Sequence, residues 1–316
     1  MYLIHAATYL PAQSLDNAYF SARTGKEPEW FLRRTGIETR RRAGGDDNTH
    51  VMAVKAVEAL KAELGGKLPA SIDLIVSCTY TPWDTLVTMA HAVQQAFGIA
   101  RARAIHVASA CSSFLSALEL VGAMFESGRS RLALVVLAEH NSLYARDDDI
   151  MSGHLWGDGA AAVLLSAAAL DAARYRVTDI VTAGLAHVGK GLEAIQLVPS
   201  QEGLVMAHGR EIFEHACEQM VASVREILER NGLGIDAIRL LVPHQANRRI
   251  LTAVARTLEL DPSRVAVTVD KLGNTGCAST LISLALCDQA VVRGEWVVLA
   301  AFGGGYSSGA ALLKRL

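Results

Sequence analysis

The stretch "RAIHVASACSSFLSALELVGAMFESG" (residues 103–128) joins two kinds of hydrophobic pattern. Its opening, "AIHVAS" (104–109), is a short continuous apolar run, the pattern of a strand covered on both faces. The longer run at 112–128 reads as a helix. Cys111 stands at the junction. A thiol there faces the unpaired N–H groups and the positive dipole end of the helix. Such a place lowers a cysteine pKa from about 8.5 into roughly the 3.5–7.5 range. The opposite reading is equally physical, since a free cysteine in an alanine-rich run is commonly buried packing. Ser112 and Ser113 supply polar groups at the same junction.

The same grammar extends in both directions. "IDLIVSC" (72–78), "LALVVLAE" (132–139) and "AAAVLLS" (160–166) are further buried strands, separated by helical patterns at 50–64, 86–98 and 112–128. A second round follows: a helix at 209–232, a strand at 238–244, a helix at 247–260, a strand at 265–269 and a helix at 277–294. The strands "EWVVLAAFG" and "GAALLKR" close the chain. Alternation of this kind predicts an α/β fold with mostly parallel central strands. The two rounds form a structural pseudo-repeat, with the boundary near 166–176.

Bulk properties exclude several classes. The 316 residues are 51% hydrophobic and 20% charged, with a net charge of −2. That balance supports a large core and gives no electrostatic signal for nucleic acid or an anionic membrane. No basic region followed by a long apolar run opens the chain, so no signal peptide is expected. No uninterrupted apolar run of about eighteen residues predicts a membrane span. Five cysteines without a C-x-x-C pair argue against a disulfide framework or a zinc site. The expectation is a reduced cytoplasmic protein.

Three more segments carry polar groups at strand ends. His244 in "LLVPHQANRRI" (240–250) lies between a strand and a helix, where α/β sheets gather ligands and catalytic side chains. It could equally be a histidine satisfied by backbone, and Asn247 a helix cap. Asn274 in "KLGNTGCAST" (271–280) is either a turn residue or an amide donor. The glycines of "AFGGGYSSG" (301–309) form either a hairpin turn or a backbone cradle that aims N–H groups at a ligand. Neither the dinucleotide-binding nor the P-loop glycine pattern is present.

Taken together, "EWFLRRTGIETRR" (29–41), "ASACSSF" (108–114), "LWGDGAAAVLL" (155–165), "LVPHQANRRI" (241–250), "KLGNTGCAS" (271–279) and "AFGGGYSSGAALLK" (301–314) resemble the β-ketoacyl-acyl-carrier-protein synthase III family. These are condensing enzymes of the thiolase superfamily. The resemblance covers essentially the whole chain. It implies a thiolase-like fold of two pseudo-repeated α/β halves, residues 1–170 and 171–316, in a layered α-β-α-β-α core. It also implies a homodimer.

The resemblance further implies a Cys111–His244–Asn274 triad and an oxyanion hole from the N–H groups of Cys111 and Gly305. Trp30, Arg34, Leu86, Gly209 and Asn247 would contact the substrate, and Arg248 and Arg249 would dock an acidic carrier protein. No cofactor or metal is implied. The substrates are thioesters of coenzyme A or phosphopantetheine: an acyl-CoA or acyl-carrier-protein primer, and malonyl-carrier protein. The implied reaction is decarboxylative condensation to a 3-oxoacyl-carrier protein.

A papain-like hydrolase also uses Cys, His and Asn in this order, but its local C-G-S-C-W signature is missing. A non-decarboxylating acyltransferase on the same fold is the alternative reading. A non-catalytic dimer partner would lack the nucleophile, and Cys111 is present.

Three departures from the housekeeping pattern stand out. Ser112-Ser113 replace Ala-Gly and are expected to alter the helix start and the acyl pocket. Ile150 stands where an adenine-flanking arginine is usual, which puts adenine clamping in question and leaves both a coenzyme A and a carrier-protein primer open. Leu86-Val87 replace Phe-Pro in the pocket segment, so the primer need not be acetyl. They suggest a specialised member that starts a pigment, lipid or polyketide chain, or a biotin precursor.

Overall fold

The computed structural model describes residues 1–198 and 203–316. The chain first forms β1 (Tyr2–Tyr9), β2 (Gln13–Asp16), α1 (Asn17–Thr24), α2 (Pro28–Thr35), β3 (Thr39–Arg42) and α3 (Thr49–Glu63). Next come β4 (Leu74–Cys78), α4 (Met89–Ala96), β5 (Arg103–Val107), α5 (Ser113–Glu126), β6 (Leu132–Glu139) and β7 (Gly159–Ser166). The remainder gives β8 (Tyr175–Gly184), α6 (Gly191–Ala194), β9 (Ile195–Val198), β10 (Gly203–Met206), α7 (Gly209–Arg230) and β11 (Ile238–Pro243). It ends with α8 (Arg248–Thr257), α9 (Val269–Leu272), α10 (Ser279–Cys287), β12 (Trp296–Gly303) and β13 (Ser307–Arg315).

One nine-stranded sheet runs β11-β12-β13-β8-β1-β7-β6-β4-β5. Its parallel pairs are β5–β4, β4–β6 and β11–β12. All other neighbours in it are antiparallel. The sheet is therefore mixed rather than mostly parallel. Strands joined through full helices can lie parallel, whereas β13 follows β12 through a tight turn and must pair antiparallel.

The apolar patterns of the helices decide the layers. α7 buries Ile212, Ala216, Met220, Val224 and Ile227 on one stripe and keeps its other face polar. It covers the outer face of β11–β13 together with α8. α3 and α4 do the same over β4, β6 and β7. By contrast, α5 and α10 have little polar surface to give to solvent, so they are buried between the two half-sheets. Phe114, Leu115, Leu118 and Val121 of α5, and Leu281, Ile282 and Leu284 of α10, share one cluster with inward residues of both half-sheets. The result is an α-β-α-β-α core. At the centre, β1 meets β8 only through Tyr2–Arg176 and Leu3–Tyr175.

Four local expectations differ. The segment 265–269 is not a strand: Val265 makes a single bridge to Leu241. The buried Gln245 side chain takes over its hydrogen bonds, donating to the Ala266 carbonyl and accepting from the Thr268 and Val269 N–H groups. The helix expected from 86 begins at Met89, because Asp84 Oδ1 captures the N–H groups of Leu86 (2.7 Å) and Val87 (3.0 Å) in a turn. α10 stops at Cys287, before Asp288, which pairs with Arg174 and Arg315. β5 is half-buried, because it is an edge strand.

Candidate active site

The residues singled out at strand ends converge on one cavity of about 530 Å³. It is lined by Cys111 after β5, His244 after β11, Asn274 after α9, and Phe302, Gly303 and Gly304 at the end of β12. Grouping at the carboxyl ends of parallel strands is where an α/β sheet leaves side chains free of the ladder.

Cys111 sits on a strained turn. Ala110, just before it, has φ +46°, a left-handed value unusual for a residue with a side chain. Gly303 makes that turn possible: a Cβ there would lie 2.8 Å from the Cys111 nitrogen and 3.0 Å from the Ser109 carbonyl. Hydroxyls brace the turn from the other side. Ser112 Oγ donates to the Ser109 carbonyl (2.7 Å) and meets Ser307 Oγ (2.6 Å), and Ser113 Oγ donates to the Ala110 carbonyl (2.6 Å) while accepting from the Ser109 N–H (2.8 Å). Ser112 and Ser113 thus hold the nucleophile loop and are not among the cavity-lining residues. Ser113→Ala leaves the half-buried Ser109 N–H without its partner, while the Ala110 carbonyl keeps the Ser113 backbone N–H at 3.2 Å. It is expected to lower unfolding stability by about 1–3 kcal/mol, read as a lower denaturation midpoint. A wild-type midpoint would show that the brace contributes nothing.

The thiol is not depressed by the helix end. Burial, then the charge of Glu139, push Cys111 up to about 12. The expectation of a lowered pKa fails because desolvation outweighs the dipole of α5. The backbone N–H groups of Cys111 and Gly304 act in the opposite direction and favour the thiolate. Gly304, rather than Gly305, is the second backbone donor beside the sulfur. In the tight turn between β12 and β13, Gly305 is outside the cavity lining.

His244 is buried, and its N–H donates to the Ala300 carbonyl (2.8 Å). Burial lowers its pKa to about 4, so the ring is neutral near pH 7. Its Nδ1 lies 2.6 Å from Ser279 Oγ, which accepts from the Gln245 N–H at 3.3 Å. A Ser279 hydroxyl that donates to Nδ1 leaves the imidazole's own proton on Nε2, facing away from Ser279. Asn274 is fixed by the same logic. Its Oδ1 accepts from the Gly276 N–H (3.0 Å), which leaves the amide NH₂ as the free end. The site thus brings together a thiol, a neutral imidazole and a side-chain amide.

The outer part of the cavity is basic and aromatic. Arg34, Gly209, Asn247 and Arg249 line it. Asn247 also caps α8, accepting from the Arg249 N–H at 2.9 Å. Trp30 is not a lining residue. Its ring packs against His154 (5.7 Å between centroids), and the Arg34 guanidinium lies 5.1 Å from its centroid. Arg248 packs its stem on Gly36 and is not a lining residue. Leu86 is also outside the lining, 87% exposed on the loop before α4.

Sequence reading missed Tyr80, Glu139, Gln245 and Ser279. Tyr80 and Glu139 lie outside the quoted motifs, while Gln245 and Ser279 lie inside them but act on residues more than twenty positions away, which local pattern does not reveal. Among the described residues, no group of three or more His, Cys, Asp and Glu is placed to hold a metal ion. No helix among them is long and apolar enough to cross a membrane.

Comparison with known proteins agrees with this geometry. A family model described as 3-oxoacyl-[acyl-carrier-protein (ACP)] synthase III matches residues 105–184, and its C-terminal counterpart matches 228–315. A β-ketoacyl-[acyl-carrier-protein] synthase III of Rhodospirillum centenum is 39% identical, over 99% of this chain and 98% of its own length. The crystal structure of 3-oxoacyl-[acyl-carrier-protein] synthase III from Aquifex aeolicus superposes with a TM-score of 0.90 at 32% identity, covering 99% of both chains. The priming β-ketosynthase of a polyketide biosynthetic pathway gives 0.89 at 28% identity, covering 99% of this chain and 96% of its own.

Proposed function

The chain belongs to the 3-oxoacyl-[acyl-carrier-protein] synthase III family, and from that premise we propose a two-step condensation centred on Cys111. In the first step Cys111 Sγ attacks the carbonyl of an acyl thioester. The sulfur–acyl bond forms, the donor's C–S bond breaks, and the proton lost by Cys111 ends on the departing thiol. The N–H groups of Cys111 and Gly304 hold the transient oxyanion. In the second step malonyl-carrier protein enters. His244 Nε2–H and the Asn274 NH₂ donate to its thioester carbonyl and stabilise the enolate left as carbon dioxide departs. The enolate carbon attacks the acyl group, and the Cys111 thiolate leaves and takes up a proton. The product is a 3-oxoacyl-carrier protein, the first condensation of a fatty-acid or related chain.

One observation carries this reading: a thiol shares its cavity with a neutral imidazole held through Nδ1 by Ser279 and an amide held through Oδ1 by Gly276. Neutral donors stabilise an enolate without protonating it. Acyl transfer to an alcohol or amine is disfavoured, because it needs a base. His244 is already protonated on Nε2 and resists a second proton, with its pKa held at about 4.

The donor is an acyl thioester of coenzyme A or of a carrier protein. Arg34, Arg249 and the exposed Arg210 give the cavity mouth a basic rim suited to phosphate and to an acidic carrier. The chain comprises two thiolase-like halves, residues 1–170 and 171–316, and works in the cytoplasm as a homodimer. The half-exposed edge strand β5 and the exposed Trp83, Leu86 and Val87 support the dimer. A monomer mass by light scattering would refute it.

The deciding experiment offers a panel of acyl-CoA and acyl-carrier donors and follows intact mass. One acyl mass on Cys111 is expected, discharged by malonyl-carrier protein with release of carbon dioxide and a 3-oxoacyl product. No acylation by any donor would sink the reading.

A further inference from the structure

Beyond the triad, one polar side chain in the cavity of Cys111 has no assigned task. Tyr80 follows β4 and lines the same cavity as Cys111, His244 and Asn274. Its direction is imposed by a carboxylate buried beneath it. Glu139, at the end of β6, accepts from the Thr79 hydroxyl (3.0 Å), the Thr81 hydroxyl (2.5 Å), the Thr81 N–H (3.2 Å) and the Tyr80 N–H (3.3 Å). Three consecutive residues are pinned, and the middle one is turned inward. The phenol then lies against Gly276, where Tyr80 Oη and Cε1 leave no room for a Cβ.

The Tyr80 hydroxyl is buried and makes no hydrogen bond of normal geometry among the described residues, and the polar groups beside it are the Asn141 side chain and the Cys111 sulfur. A buried hydroxyl left unpaired is costly, so such a group is retained where a partner forms during function. The neighbouring sulfur can be that partner. A neutral thiol is a weak acceptor and a thiolate a strong one.

We propose that Tyr80 is the side-chain donor that holds the Cys111 thiolate. Its O–H donates to Sγ as the thiol proton leaves, and is released when the sulfur becomes an acyl thioester. This inference rests on Cys111 being the nucleophile. It supplies what the resting site lacks, since the backbone donors alone must offset burial and the Glu139 charge. The titratable and charged groups around the sulfur are few. They are Glu139 from β6, Tyr80 after β4, Cys277 before α10 and the neutral His244 after β11. Of the two that are charged or can donate strongly, Glu139 opposes the thiolate and Tyr80 favours it.

The test is the pH profile of Cys111 alkylation by iodoacetamide, followed by intact mass and peptide mapping on the full chain. Tyr80→Phe keeps the ring and removes only the donor. Its profile should move upward by about one pH unit, with labelling about tenfold slower at a fixed pH below the midpoint. Tyr80→Thr, whose hydroxyl is too short to reach, should shift the same way and serves if the Phe variant fails to fold. Profiles superposable on wild type in whichever variant folds would overturn the proposal. Wild-type acylation by the donor panel is run in parallel. Its failure would remove the condensing reading while the alkylation comparison still judges Tyr80.

Discussion

Cys111→Ala is expected to abolish the acyl-enzyme and to lower condensation by at least about 10³-fold, because the covalent route disappears with its nucleophile. The substitution removes one sulfur atom from a turn that Gly303 and the serine hydroxyls hold independently. The fold should therefore survive, and circular dichroism should be unchanged. Decarboxylation of malonyl-carrier protein should persist, since His244 and Asn274 keep their orientation through Ser279 and Gly276. Carbon dioxide without a 3-oxoacyl product is thus the signature. Cys111→Ser should behave alike in acylation, as a hydroxyl is a poorer nucleophile in a site with no base to activate it. A variant that still accepts the acyl mass at another residue would place the nucleophile elsewhere.

His244→Ala should separate the two half-reactions in the opposite sense. Acylation of Cys111 depends on the sulfur and on backbone donors, so it should stay within a few-fold of wild type. Enolate formation loses a fixed donor, which typically costs about 10²–10³ in rate. Asn274→Ala should do the same. The double variant should cost less than the product of the two, because both donors serve one oxygen. The imidazole is neutral across ordinary assay conditions, with a pKa held at about 4 by burial. Between pH 6 and 8, an interval chosen around neutrality, the wild-type decarboxylation step should therefore show no inflection from this histidine. The decisive measurement is single-turnover loading against carbon dioxide release. Loading that fell as steeply as decarboxylation would assign His244 to the thiol instead.

Much of the frame could be read along the chain because it depends on local pattern. The predominantly apolar α5 and α10 are central and the one-sided α3 and α7 are peripheral, since a helix buries whatever face it cannot solvate. The strand-end positions of Cys111 and His244 followed from the same alternation, whereas Asn274 follows the short helix α9. The segment at 265–269 was misread for a physical reason. Its β-branched run fits a strand, but a distant glutamine, Gln245, satisfies its backbone. The Leu86-Val87 segment was misread because Asp84 captures the N–H groups that would have started the helix.

By itself, then, the order of residue types determined the alternating α/β elements, and the family resemblance of the motifs at 108–114, 241–250 and 271–279 marked Cys111, His244 and Asn274. Only the tertiary structure decided their chemical state. Solvent exclusion and a carboxylate from β6 push the Cys111 thiol up to about 12, against what its helix end alone would do. Ser279, 35 positions from His244, engages Nδ1 of the imidazole and so sets the direction of the ring. A tight turn puts Gly304, not Gly305, beside the sulfur. Ser112 and Ser113 turn toward the loop they brace, and Tyr80 turns toward the thiol. Protonation, tautomer and donor direction are set by groups brought together across the fold and by the water they exclude, and neither is written in any local stretch of the chain.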